Sequence, residues 1–193
     1  ARLARAVEQA KPMIVETMIA TTGKTRRDAS GEVDRSVETL AISAEEALRI
    51  EGFEVPMDSS ARGEGRVAFV RRYPIGVVAA ITPFNAPLNT VCHKVAPALA
   101  AGNTVVHKPA SITPWCAKLL AEVFAEAGLP DGVWNVIFGP GGAIGDTLVQ
   151  HPHVAALSFT GSNEIGQRLY ALGAAHKKKI QCEMGGKNAI IVL

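Results

Sequence analysis

The stretch NTVVHKPASITPWCAKLLAEVFAEAGLPDGVWNVIF, residues 103–138, decides the fold class of this 193-residue chain. Its two ends, NTVVHK and VWNVIF, are short β-branched runs of the kind that form buried strands. Between them, Thr113 is a good N-cap, Pro114 suits the first helical position, and GLP at 128–130 ends the helix. The stretch therefore predicts a strand, a helix and a second strand in succession.

The same alternation continues on both sides of this stretch. Further β-branched or apolar runs begin at residues 67, 75, 154, 178 and 188; they read VAFVRRY, IGVVAAI, VAALSF, KKIQCE and NAIIVL. From Ile75 onward, helical stretches separate most of them. Near-continuous apolar strands that alternate with helices predict an α/β fold with a Rossmann-like parallel sheet and helices on both faces.

The N-terminal part of the chain has a helical pattern instead. Apolar residues recur at steps of three and four from Leu3 to Met18, interrupted by Pro12. A second helix is predicted from about Ser30 to Ile50, with Gly52 as its left-handed stop. We therefore divide the chain into N-terminal helices within 1–65 and alternating strands and helices at 66–193. The first helix begins in mid-pattern, which suggests that an upstream segment is missing.

Composition narrows the class of protein. The formal net charge is +2 and hydrophobic residues make up 48%, which is too balanced for a nucleic-acid surface. The apolar runs are far shorter than the ~18 residues that a membrane span needs. The three cysteines are widely spaced and lack metal-ligand spacing, so reduced thiols are favoured. We expect a soluble, cytoplasmic protein with no nucleic-acid, membrane or metal partner.

Polar residues follow two of the predicted strands, at the end of a parallel sheet where ligands bind. Asn85 lies between Pro83 and Pro87, so a rigidly held amide could donate a hydrogen bond to an oxyanion. From spacing alone, an Asn that caps a turn or the next helix is the more common case. Lys108 and Ser111 suit ribose hydroxyls or a phosphate, and a solvated loop lysine is the alternative.

Two glycine-rich turns each follow a strand and open a helix. They are FGPGGAIG at 138–145 and SFTGSNEIG at 158–166. Backbone N–H groups at such turns can bind a diphosphate at the positive end of the helix. The first turn does not match GxGxxG, but two turns of this kind in one sheet favour a dinucleotide site.

The stretch QCEMGGKN at 181–188 contains a thiol and a carboxylate side by side. Strand alternation places Cys182 with Ile180 in apolar packing, where a thiol is protonated and inert. Glu183 takes the opposite side, ahead of Gly185 and Gly186, and is a candidate general base. An ordinary surface glutamate is the alternative.

Five motifs in this order, TPFNAPLN, GNTVVHKPAS, AGLPDGVWNVIFGPG, SFTGSNEIG and EMGGKN, closely resemble the aldehyde dehydrogenase superfamily. The resemblance runs over essentially the whole chain but covers only part of the family's length. In the family, the nucleophilic cysteine lies well after the segment similar to EMGGKN. The resemblance therefore implies that this chain is a partial NAD(P)-binding domain, that the catalytic domain is missing, and that these 193 residues alone are inactive.

The resemblance implies oxidation of an aldehyde to a carboxylic acid with NAD or NADP. A cysteine thiolate attacks the aldehyde, the thiohemiacetal gives up a hydride, and water hydrolyses the thioester. Asn85 matches the side-chain donor of the oxyanion hole, and Glu183 matches the glutamate that activates the water. Positions that match cofactor-lining residues are Thr82, Pro83, Phe84, Lys108, Ser111, Gly141, Thr160, Gly161, Ser162 and Gly185.

One departure from the family pattern concerns the cofactor. Members that prefer NAD commonly carry a glutamate where Ser111 stands, and its charge repels a 2′-phosphate. We therefore predict that NADP is accepted. The resemblance also implies a homo-oligomer in the full-length protein and a small aldehyde substrate, such as lactaldehyde or phosphonoacetaldehyde. A non-catalytic dinucleotide-binding module and an acyl-transferring, coenzyme A-dependent relative are the alternatives, and Glu183 argues against the second.

Overall fold

A computed structural model describes residues 1–192 and begins with three helices. They are α1 (Arg2–Gln9), α2 (Lys11–Thr22) and α3 (Arg26–Glu46), and a short 3-10 turn follows α3 at Ala47–Arg49. Pro12 lies in the first turn of α2, so the predicted interruption of the first helix is confirmed. Helix α3 corresponds to the helix predicted from about Ser30. It begins earlier than predicted because the Thr25 hydroxyl caps it, accepting a bond of 3.1 Å from the N–H of Asp28.

The predicted role of Gly52 as a left-handed helix stop is wrong, because its φ is not positive. Instead, a Cβ atom built on Gly52 would lie 1.7 Å from the carbonyl oxygen of Val70. The glycine therefore permits a close approach between β1 (Phe53–Val55) and β2 (Ala68–Val70), which pair antiparallel in a separate two-stranded sheet. The N-terminal part thus contains a strand as well as helices.

The main sheet has five parallel strands in the order β5-β4-β3-β6-β7. This arrangement confirms the predicted doubly wound sheet. Its strands are β3 (Val77–Ile81), β4 (Thr104–Lys108), β5 (Trp134–Val136), β6 (Val154–Gly161) and β7 (Lys179–Met184). The helices that connect them are α4 (Asn89–Ala100), α5 (Pro114–Glu126), α6 (Gly141–Gln150) and α7 (Asn163–Ala175).

The prediction of a further strand at NAIIVL is wrong for residues 188–192, which form no strand; Leu193 lies outside the described residues. A strand needs a neighbour that takes its backbone N–H and C=O groups. The sheet's last described strand, β7, has β6 on one side only, and residues 188–192 are exposed. Their β-branched composition alone does not provide a partner.

Two apolar cores lie on opposite faces of the main sheet. Ala80 of β3 belongs to the core formed with helices α1 to α5, whereas the adjacent Ala79 belongs to the core with α6 and α7. After β5 the chain crosses over and continues at β6, on the other side of β3. The point between β3 and β6 is the switch point of the sheet, where ligands bind in doubly wound folds. Within residues 1–192, no helix is both long and apolar enough to cross a membrane.

Candidate active site

A cavity of about 650 Å³ lies at the switch point, beyond the carboxyl ends of β3, β6 and β7. Three loops that are distant in sequence form its walls. The sequence-predicted site residues that line this cavity are Thr82, Pro83, Phe84, Asn85, Thr160, Gly161, Ser162, Glu183 and Gly185. The structure therefore brings most of the predicted residues together in one place.

Asn85 lies in the loop 82–88, between the end of β3 and the start of α4. Its Oδ1 atom accepts a hydrogen bond of 3.0 Å from the N–H of Ala86, so the amide NH₂ remains as a donor for a ligand. At the start of the loop, Thr82 is buried, and its hydroxyl forms a 2.9 Å hydrogen bond with Nε2 of His107 in β4. The loop is therefore anchored to the sheet at its first residue.

Glu183 and Cys182 lie on opposite sides of β7, as the strand alternation predicts. Cys182 and Ile180 both pack against the core beneath α7, and the thiol donates a 3.6 Å bond to the carbonyl of Gly166. Burial raises the pKa of the Cys182 thiol, which keeps it protonated. Glu183 is exposed to the cavity and is the partner of Thr160 in the register of β6 and β7.

Lys108 and Ser111 form a second cluster at the end of β4. Lys108 is only 4% exposed, so the solvated-lysine alternative is wrong. Its Nζ donates to the carbonyl of Pro109 at 2.7 Å and to Oγ of Ser111 at 3.3 Å, and Ser111 donates in turn to the carbonyl of Gly139 at 3.1 Å. Burial lowers the pKa of Lys108. The positive φ of 149° at Gly139 is one that L side chains rarely adopt.

A largely apolar pocket of about 530 Å³ adjoins this cluster. Its lining residues are Pro109, Ser111, Pro114, Trp115, Lys118, Phe138, Gly139 and Pro140. None of these described residues is acidic. Gly141 lies nearby, since a Cβ atom on it would be 4.0 Å from Nζ of Lys108. The N–H of Thr82 donates a 3.3 Å bond to the carbonyl of Lys108. The pocket and the switch-point cavity therefore lie at the ends of two adjacent strands, β4 and β3.

The two helices that open at this edge of the sheet differ in their first turns. The hydroxyl of Ser162 caps α7, accepting a bond of 3.5 Å from the N–H of Ile165. Helix α6 has Pro140 as its N-cap and no side-chain cap, so its first N–H groups remain available to an anion. An apolar wall, a buried ammonium beside a hydroxyl, and uncapped helix N–H groups match the ring, ribose and phosphates of a dinucleotide.

Sequence reasoning missed Lys94, a buried lysine that interacts electrostatically with Glu183. This α4 residue is 7% exposed, and its Nζ donates a 3.1 Å bond to the hydroxyl of Ser158 in β6. Burial lowers the pKa of Lys94 to about 8, and the negative charge of Glu183 opposes that shift. The sequence did contain an indication that Lys94 is buried, because it lies between Val91 and Val95, which are buried residues of the same helix.

His107 was also missed, although it adjoins two predicted residues. Its ring is fully buried and stacks on Trp134 with ring centroids 5.9 Å apart. Burial, with smaller contributions from the charges of Lys108 and Lys94, lowers the pKa of His107 to about 3. The imidazole that meets Thr82 is therefore neutral at physiological pH.

The model of the aldehyde dehydrogenase family matches residues 1–193, the whole chain. This chain belongs to the aldehyde dehydrogenase family. It is 49% identical over 177 residues to the 3-sulfolactaldehyde dehydrogenase of Priestia aryabhattai, an alignment that covers 92% of this chain and 37% of the relative. It is 45% identical to the 2,5-dioxopentanoate dehydrogenase of Saccharolobus solfataricus, covering 96% of this chain and 38% of that protein.

The fold agrees with that of solved aldehyde dehydrogenase structures. The NADP-dependent glyceraldehyde-3-phosphate dehydrogenase of Bacillus halodurans, solved with NADP, superposes with a TM-score of 0.91 at 38% identity. That match covers 96% of this chain and 38% of the other. The aldehyde dehydrogenase chain described here thus spans less than two-fifths of the length of the relatives that it matches.

Proposed function

We propose that this chain is part of the cofactor-binding domain of an NAD(P)-dependent aldehyde dehydrogenase that forms a carboxylic acid. The observation that supports it most strongly is the convergence of Asn85 and Glu183 on one cavity at the switch point of the sheet. The loops that carry Thr82, Thr160 and Gly185 would hold a nicotinamide dinucleotide there, and this cofactor would supply the acceptor for the substrate's hydride. We propose that the nucleophile is a cysteine outside these residues, because Cys92 and Cys116 are buried and Cys182 packs against the core.

Each of the two polar residues has a separate task in the proposed reaction. The amide NH₂ of Asn85 donates to the oxygen of the aldehyde as it becomes an oxyanion. The carboxylate of Glu183 removes a proton from the water that hydrolyses the thioester. Glu183 supports the acid-forming reaction rather than transfer of the acyl group to coenzyme A.

We also propose that the cofactor's adenosine end lies at the cluster of Lys108 and Ser111 and that NADP is accepted. A 2′-phosphate placed there would meet a buried ammonium and a hydroxyl, with Lys118 on the same pocket wall. No acidic residue among the described lining repels it. The solved relative that contains NADP is consistent with this assignment.

The substrate is proposed to be a small aldehyde that carries an anionic group. The names of the three compared relatives denote substrates with a sulfonate, a carboxylate and a phosphate. In this chain, three cationic side chains and one carboxylate line a pocket at the start of α3; its residues are Lys24, Arg27, Asp28, Gly31 and Arg35.

Arg35 is the cation in this pocket that is best placed for the substrate. It is exposed, and it lies three residues after Glu32 and four before Thr39 on α3. Glu32 accepts hydrogen bonds from the N–H groups of Leu88 and Asn89, and Thr39 donates to Oδ1 of Asn89. Residues at this spacing share one helix face, so Arg35 is on the side of α3 that meets the end of the Asn85 loop.

Pre-steady-state kinetics of the whole protein test the proposed reaction. Glu183→Gln is expected to retain a burst of NADPH close to one per site, while steady-state turnover falls about 100-fold, because the thioester forms but is not hydrolysed. Asn85→Ala is expected to slow the burst itself by about 100-fold. Glu164→Gln, which removes an exposed carboxylate from the first turn of α7, is the matched control. Unchanged turnover in Glu183→Gln would refute the role of Glu183, and acyl-coenzyme A as the product would refute acid formation.

A further inference from the structure

Glu32 is a fully buried carboxylate that meets the start of a different helix. Its Oε1 atom accepts hydrogen bonds of 2.9 Å from the N–H of Leu88 and 3.1 Å from the N–H of Asn89. Its Oε2 atom forms an ion pair with Nζ of Lys24. Leu88 is the N-cap residue of α4 and has no side chain that can act as a cap. Glu32 therefore caps α4 from α3.

This cap is well suited to hold α4 in one place. The first N–H groups of a helix have no partner within the helix, and a negative charge there is stabilised by the helix dipole. A buried carboxylate is tolerated when hydrogen bonds and a counter-charge satisfy it, as the two N–H groups and Lys24 do here. Removing the carboxylate would leave both the amides and the Lys24 ammonium without their partner.

The loop that carries Asn85 is thus held at both of its ends by buried side chains. His107 binds the hydroxyl of Thr82 at its start, and Glu32 binds the amides of Leu88 and Asn89 at its end. Between these anchors, Asn85 is exposed and its only hydrogen bond among the described residues is the local one to Ala86. The direction of the Asn85 amide depends on where the ends of the loop are fixed.

We propose that Glu32 is a positioning residue for catalysis: by capping α4 it fixes the loop 82–88, so that the Asn85 amide points into the switch-point cavity. This inference rests on the proposed function, since the position of Asn85 matters for turnover only if its amide donates to the reacting oxygen. Glu32 itself is fully buried and is not among the residues that line the cavity.

A double-mutant cycle in the whole protein separates positioning from a purely structural role. Glu32→Ala is expected to lower kcat about 10-fold and to leave the KM for NADP within about twofold. In the Asn85→Ala background, the same substitution is expected to change kcat by less than about twofold, because the positioned group is already gone. Losses that multiply in the double variant, or an unchanged kcat in Glu32→Ala, would overturn the proposal.

Two further variants keep the test decisive. Glu32→Gln retains an oxygen that can accept the two N–H bonds, so it is expected to recover most of the kcat lost in Glu32→Ala and to fold even if that variant does not. If Glu32→Ala does not fold, the same cycle is run with Glu32→Gln. The proposal would then be overturned if Glu32→Gln lowered kcat as much in the Asn85→Ala background as in wild type. Ser43→Ala is the matched control, since Ser43 is buried on α3 and the only hydrogen bond of its hydroxyl among the described residues is within that helix, to the carbonyl of Thr39.

Hydrogen exchange of the loop amides distinguishes failure of this proposal from failure of the proposed function. Exchange of the Leu88 and Asn89 amides is expected to accelerate at least about 10-fold in Glu32→Ala and not in Ser43→Ala. If Asn85→Ala keeps wild-type turnover while these amides lose protection, the proposed function fails and the positioning role fails with it. If Asn85→Ala is impaired but Glu32→Ala loses neither amide protection nor turnover, only the positioning role fails.

Discussion

The ammonium of Lys108 lies 3.3 Å from the hydroxyl of Ser111, which lines a pocket whose described lining contains no acidic residue. The hydroxyl is held in turn by the carbonyl of Gly139, which ties the loop after β4 to the loop after β5. A group that enters this pocket meets positive charge and a donor. We propose that a phosphorylated ribose is accepted at this pocket.

Ser111→Glu is predicted to weaken NADP binding at least about 10-fold relative to NAD, because a carboxylate beside the 2′-phosphate adds like-charge repulsion. Isothermal titration of both cofactors measures the ratio. Ser111→Ala separates the loss of the hydroxyl from the added charge, and Gln150→Glu places the same charge at the far end of α6. Wild-type protein that binds NAD about 10-fold more tightly than NADP would contradict the argument.

Glu183→Gln is predicted to lower the pKa of Lys94 below its present value of about 8, because the carboxylate favours the charged ammonium. The Cε chemical shift of Lys94 in protein labelled with 13C-lysine, followed from about pH 6 to pH 11, reports this pKa. Glu164→Gln is the control, since Glu164 has no part in the shift. A Lys94 pKa that stays constant or rises in Glu183→Gln would show that the two groups do not interact.

The lowered pKa of Lys94 also predicts how stability depends on pH. The folded state releases this proton as the pH rises through about 8, whereas an unfolded lysine holds it up to about 10.4. The free energy of unfolding of wild-type protein should therefore rise, relative to Lys94→Met, by about 2 kcal/mol between about pH 7.5 and pH 9.5. Denaturant unfolding at the two pH values gives the difference, and a fall in place of a rise would contradict the assignment.

Arg35→Gln is predicted to raise the KM for an anionic aldehyde about 10-fold and to leave the KM for a neutral aldehyde of similar size within about twofold. The reason is the loss of a cation on the face of α3 that meets the Asn85 loop. Arg5→Gln removes an exposed arginine from α1 as a control. Equal effects on the KM of both aldehydes would mean that Arg35 does not interact with the negative charge of the substrate.

Cys182→Ala is predicted to keep aldehyde oxidation by the whole protein within about twofold of wild type, because the thiol is protonated and turned into the core beneath α7. Steady-state rates with saturating aldehyde and cofactor measure it. The melting temperature is followed in parallel, so that a loss of folded protein is not mistaken for a loss of catalysis. Loss of activity in protein that remains folded would identify Cys182 as a participant.

Much of the site was predictable because one rule, that ligands bind at the carboxyl ends of parallel strands, applies to local sequence. Asn85, Thr160 and Glu183 each follow or end a recognisable strand, and the rule places them together. This rule did not identify Glu32, Lys94 and His107, because they lie within helices or strands and not at strand ends. Their partners are Leu88, Ser158 and Thr82, which are 56, 64 and 25 residues away.

Local signals failed where tertiary contacts decided the outcome. Gly52 satisfies the usual pattern of a helix stop, but the helix ends earlier and the glycine is instead used for close contact with Val70. The β-branched run at 188–192 has the composition of a strand but no neighbouring strand among the described residues. In both cases the missing information was the identity of a distant partner.

We propose that a single dinucleotide spans the Ser111 pocket and the switch-point cavity. Isothermal titration of NADP into the whole protein tests it with one variant at each end. Lys108→Met alters the pocket, and Gly185→Val fills the cavity from a position where an added Cβ meets no protein atom within 4 Å. Wild-type protein is expected to bind one NADP per chain, and each variant is expected to bind it at least about 10-fold more weakly. Absence of saturable binding, or wild-type affinity in either variant, would contradict it.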